Sequence, residues 1–88
     1  MKKFHKDPNA TLDYSINWED WLAGDTITVS NWSATAGITI VNNFNTATST
    51  SVWLSGGTAR DDYIITNAIT TAGGRVDDRS ISIKCIEK

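Results

Sequence analysis

Leu12, Tyr14, Ile16 and Trp18 alternate with Asp13, Ser15 and Asn17. A period of two puts one set on a buried face and the other in water, so the pattern predicts a first strand. The segment 19–25 (EDWLAGD) breaks the alternation with charges and a glycine, which suits a connection holding one helical turn. Ile27 and Val29 restart the alternation in a second strand ending near Trp32. Gly37 opens a third, Ile38-Thr39-Ile40-Val41, which runs on toward Phe44 until Asn42, Asn43 and Asn45 signal a turn. A fourth covers Ser51-Val52-Trp53-Leu54 and is closed by Ser55-Gly56-Gly57-Thr58. Residues 62–71 form a long fifth strand, apolar on both faces through Tyr63/Ile65/Ile69 and Ile64/Ala68, as a central strand is. Ala72-Gly73-Gly74-Arg75 makes a hairpin loop, and Ile81, Ile83 and Cys85 alternate with Ser80, Ser82 and Lys84 in the last strand.

Short strands with a turn signal between each pair predict an all-β fold, a sandwich of about six or seven strands. Trp18 continues the inward set of the first strand and is assigned to the core. Trp53 is out of phase with Val52 and Leu54, so one of these two sets faces away from the core or into a second interface. Trp53 and Trp21 are therefore the candidate partner contacts among the large side chains.

Charge is distributed unevenly. Between Thr26 and Ala59 there is no charged residue, and half of those 34 positions are Thr, Ser or Asn. Hydroxyl-rich, β-branched sequence favours strands over helix. An open sheet edge is normally protected by Lys, Glu or Pro, and this stretch has none. Either it is buried in an assembly or twist, bulges and loops cover its edge.

The 88 residues fit one domain, short enough that neighbouring subunits matter for stability. The basic start, Met1 to Pro8, reads as a flexible tail over residues 1–9, with the sandwich domain over 10–88. Lys2 and Lys3 of that tail are candidate partner-binding residues, ordering only on a partner. The tail lacks the apolar run of a signal peptide, no window reaches the apolar length of a membrane span, and Asn9-Ala10-Thr11 and Asn31-Trp32-Ser33 read as chance glycosylation patterns. A net charge of -2 argues against nucleic acid as partner.

Catalytic chemistry is not evident. His5 lies in the tail, which leaves no histidine for a triad, and phosphate-loop, nucleophile-elbow and zinc spacings are missing. Asp61-Asp62 and Asp77-Asp78 could share a calcium ion, but neighbouring aspartates on a strand point to opposite faces, which favours solvated turns. Cys85 has no disulfide partner and continues a buried set, as an inert core thiol does. The expectation is a non-enzymatic protein without catalytic residues, cofactor or metal.

Residues 52–59 (VWLSGGTA), Tyr63-Ile64-Ile65-Thr66-Asn67 and residues 70–75 (TTAGGR) resemble the last three strands of immunoglobulin-like domains. Tyr63 stands where those folds place a tyrosine corner. The ordered set Lys6-Asp7-Pro8, Leu12-Asp13-Tyr14, Trp18-x-x-Trp21-Leu22, Gly24-Asp25-Thr26-Ile27 and Gly74-Arg75-x-Asp77-Asp78-Arg79-Ser80 is similar to small tailed-bacteriophage virion proteins described as fiber-tail adaptors. That resemblance implies a structural protein of the virion, made in the host cytoplasm and present in several copies, that docks tail fiber, tail or neck/portal components. The alternatives are a capsid decoration protein and a carbohydrate-binding module using exposed Trp21, Trp32 or Trp53 as stacking platforms.

Overall fold

The computed structural model describes residues 2–86. Strands β1 (Lys2–Lys6) and β2 (Leu12–Asn17) are followed by a single helical turn, α1 (Glu19–Leu22). Five further strands complete the described chain: β3 (Ile27–Ala34), β4 (Ile38–Asn45), β5 (Ser49–Gly56), β6 (Asp62–Thr71) and β7 (Val76–Cys85). They form a four-stranded sheet in the order β1-β7-β6-β3 and a three-stranded sheet in the order β2-β5-β4. The grouping β2-β5-β4 against β3-β6-β7 is the B-E-D and C-F-G division of an immunoglobulin-like sandwich, with β1 added beside the last strand.

Period-two alternation carries the packing. Tyr14 and Ile16 from β2, Val52 and Leu54 from β5, Tyr63, Ile65 and Ile69 from β6 and Ile81, Ile83 and Cys85 from β7 point between the sheets and are buried. Strand β6 lies between β7 and β3, as its apolar character predicts, although Ile64 on its outer face remains 39% exposed. Trp18 is fully buried at the end of β2. The Tyr63 hydroxyl accepts a hydrogen bond from the Thr58 N–H at 2.8 Å, the tyrosine corner expected at the start of the penultimate strand. Gly57, at φ +97°, lies beneath this corner, where a Cβ would collide with Cys85 Sγ.

Three sequence expectations are corrected. Residues 2–6 are not a free tail: they pair in parallel with β7, from Lys2 beside Ile81 to Lys6 beside Cys85. Phe4 meets Tyr14 at a tilt of 58° with ring centroids 5.0 Å apart, and Lys6 is fully buried with Nζ donating to the Gly56 and Asp7 carbonyls at 2.8 and 2.9 Å. The sandwich therefore takes in residues ahead of 10. The asparagines 42, 43 and 45 do not turn the chain; they lie within β4, where a register shift between Ile40 and Asn42 leaves Val41 as an extra residue. The turn falls at Thr46–Thr48, closed by the Thr46 hydroxyl, which accepts from the Thr48 and Ser49 N–H groups. The last strand begins at Val76 rather than near Ser80, pairing Val76 with Thr70 directly after the glycine loop.

Candidate docking surfaces

Residues directly opposite on antiparallel strands share a face. Asp13 faces Trp53, Trp53 faces Asn42, Ser15 faces Ser51 and Ser51 faces Phe44, so all lie on the outer face of the three-stranded sheet. Trp53 is 37% exposed and Phe44 54%, and the two are diagonal neighbours across β4 and β5. Around them are Thr39, Asn42, Ser49, Ser51 and Ser55, with Asp13 the single charged residue that the register places on this face. Val52 and Leu54 fill the core, which resolves the phase conflict in β5: Trp53 is the outward residue. Beside this face runs the free edge of β4, which carries no charged side chain and leaves the bulged Val41 55% exposed. The β3 edge, packed near β4, is likewise uncharged, with Val29 45% exposed.

Trp21 occupies a different kind of environment. Its ring meets Trp18 edge-on at 5.4 Å, and the Arg75 guanidinium lies over it at 4.0 Å. Arg75 also donates to the Trp21 and Leu22 carbonyls at 2.8 and 3.1 Å, capping the end of α1, and sits 3.9 Å from Asp25. The Asp25 carboxylate accepts from the Thr26 and Gly73 N–H groups. The Thr71 hydroxyl above all, then these backbone donors and Arg75, hold its pKa below the ordinary 3.8. Four residues further on, within β7, Arg79 lies over Trp18 at 4.3 Å and donates to the Asn17 carbonyl at 3.2 Å. The elements Trp18-x-x-Trp21 and Arg75-x-x-x-Arg79, far apart in sequence, are thus interlocked ring to cation.

Trp32 is not a platform. Its side chain is partly buried against the core, and its Nε1 is enclosed with no hydrogen-bond partner among the described residues. The three tryptophans weighed as sugar-stacking surfaces therefore sit in three unrelated settings. Lys2 and Lys3 lie on β1, the opposite edge of the four-stranded sheet from β3. Lys3, with His5, Lys84 and Asp62, lines a shallow depression on the outer face, whereas Lys2 shares the inward register with Phe4 and Lys6.

A further buried polar group lies at the centre of the core. Asn67 is fully buried in the middle of β6, where its Oδ1 accepts from Trp18 Nε1 at 3.2 Å and from the Thr50 hydroxyl at 2.8 Å. Its Nδ2 donates to Ser30 Oγ and the Asn31 carbonyl, so one amide ties together both sheets and the β2–α1 junction. The only trace in the sequence is a polar residue where the inward set Tyr63/Ile65/Ile69 demands an apolar one.

The family model described as podophage GP4 fiber-tail adaptor protein gp77 matches residues 6–84. The chain belongs to this fiber-tail adaptor family. Comparison with curated proteins finds no match. The adaptor is thus a structural protein of a phage virion. Its matched segment contains the outer face around Trp53 and Phe44 and both tryptophan–arginine pairs, while Lys2 and Lys3 precede it. Asp61-Asp62 and Asp77-Asp78 are not gathered into a metal cluster; among the described residues no group of three or more His, Cys, Asp or Glu could hold an ion. Cys85 is buried, and burial above all pushes its thiol pKa up, the opposite of what a reactive cysteine needs.

Proposed function

We propose that the adaptor docks a tail or neck component through the outer face of its three-stranded sheet, with Trp53 and Phe44 at the centre and the β4 edge open to strand addition. The carrying observation is the coincidence of two exposed aromatic rings with a hydroxyl-rich face and an uncharged edge beside it. A soluble sheet left bare there would recruit stray strands, whereas a partner that adds a strand satisfies the backbone and buries the rings. Trp21, covered on one side by Arg75, contributes its free side to a smaller contact at the α1 end. Lys2 and Lys3 serve a second partner on the opposite edge. The adaptor uses no cofactor and is present in symmetric copies matching the tail or portal rather than a capsid lattice.

Trp53→Ala and Val41→Lys test this docking. Both side chains are exposed, so each variant should melt within a few degrees of the natural protein. Incorporation into particles, read by quantitative blotting of purified virions, should fall about tenfold or more for each. Normal incorporation of both variants would remove this face from the interface.

A further inference from the structure

The two sheets meet unevenly on the side where β1 and β2 are the edges. Phe4 and Tyr14 close the gap by ring contact, and away from them a cleft of about 440 Å³ opens, lined by Lys2, Ser15, Ile16, Asn17, Arg79 and Ile81. Its floor is apolar, from Ile16 and Ile81. Its rim carries two cations, and among the described residues neither lies within ion-pair distance of a carboxylate. Its walls are strand edges that pair on one side only, β1 with β7 and β2 with β5.

We propose that this cleft binds an extended acidic segment of a partner protein, one that alternates carboxylate and apolar side chains. Alternation follows from the strand edges: a chain lying along them sends successive side chains to opposite sides. An apolar residue then covers Ile16 and Ile81 while its neighbours carry carboxylates to Lys2 and Arg79. The guanidinium of Arg79 is already fixed by the Trp18 ring and the Asn17 carbonyl, so its remaining N–H groups are presented with little rotamer entropy left to lose. Two cations facing one cleft in a chain of net charge -2 select for negative charge. The apolar floor favours peptide over a phosphate backbone, which is held by larger clusters of Lys and Arg. The site lies along the β1 and β2 side of the sandwich, whereas Trp53 and Phe44 stand on β5 and β4, and it does not depend on the docking proposed there.

Isotope-labelled full-length protein can be titrated, following its amide signals, with short peptides alternating Glu with Val, Glu with Ser, and Lys with Val. The Glu/Val peptide should shift the signals of Ile16, Arg79 and Ile81, the Glu/Ser peptide should bind about tenfold more weakly, and the Lys/Val peptide should leave them in place. Arg79→Gln should weaken Glu/Val binding about tenfold. Because Arg79 also covers Trp18, the exposed Lys2→Gln is the companion variant, weakening binding severalfold with the melting temperature unchanged. Equal binding of the Glu/Ser peptide, shifts confined to Lys3, His5 and Lys84, tighter binding of a single-stranded oligonucleotide, or no shifts at all would each overturn the proposal. None of these outcomes bears on incorporation of the Trp53 and Val41 variants, so the two surfaces fail or stand separately.

Discussion

The two open sides of the sandwich are built from the same kind of element and defended in opposite ways. On one side, β1 and β2 present Lys2, Lys3, His5 and Asp13, charges that turn away strands lacking complementary charge. On the other, β3 and β4 present no charge, and Val29, Val41 and Phe44 are about half exposed. A lone globular domain would be expected to guard both. Only one is guarded, and the unguarded side is the one proposed above for docking. Each side is also fastened to the core by one buried polar group: Asn67 holds β3, and Lys6 holds β1.

Asn67→Ala should have the largest effect on this arrangement. It takes the acceptor from the buried Thr50 hydroxyl and one of two acceptors from Trp18 Nε1, which keeps only Thr50 Oγ1 at 3.3 Å, and should lower stability by about 2–3 kcal/mol. Hydrogen exchange measured by mass spectrometry should rise in β3 more than in β1. Equal acceleration on both sides would mean that the amide serves the whole core and not the uncharged side.

Lys6→Met is the reciprocal test. It keeps an unbranched apolar stem but removes the two hydrogen bonds to the Gly56 and Asp7 carbonyls, at a cost of about 1–2 kcal/mol by chemical denaturation. Exchange should now accelerate in β1 while β3 keeps its protection. If β1 stays protected, the Phe4–Tyr14 contact and the ladder to β7 hold that strand without the lysine.

These two anchors also mark where sequence reading reached its limit. Strands whose inward set is apolar, such as β2, β5 and β6, were legible because burial and alternation coincide in Tyr14/Ile16, Val52/Leu54 and Ile65/Ile69. Strand β1 was not, since its inward set is Lys2/Phe4/Lys6 and a lysine signals solvent unless an acceptor is known to await it; that acceptor is the carbonyl of Gly56, 50 residues away. The asparagines of β4 misled for a related reason. Their turn preference yields when the strand is an edge with both faces in solvent, as residues 41–45 are. The phase of Trp53 against Val52 and Leu54 showed that one of these sets faces outward, and burial of Val52 and Leu54 makes Trp53 that residue. Phe44 as its neighbour was not, because the bulge at Val41 resets the face of every later residue in β4.

The smallest expected effect belongs to the corner that neither side owns. Asp25 is held by the Thr71 hydroxyl, the Thr26 and Gly73 N–H groups and Arg75, and its folded pKa lies below 3.8. A carboxyl depressed on folding adds stability that is fully present above its unfolded value and is lost as pH falls through its folded one. Asp25→Asn removes that contribution, so the gap in melting temperature between natural protein and variant should be open near pH 5 and narrow as the pH falls below 3.8. Arg75 keeps its place over Trp21 and on the carbonyls of α1 without Asp25, so peptide binding at the cleft and incorporation through Trp53 should both be unchanged. A variant that altered either one would show that the two sides communicate through this end of the sandwich, and the contrast between them would then be a property of one coupled surface.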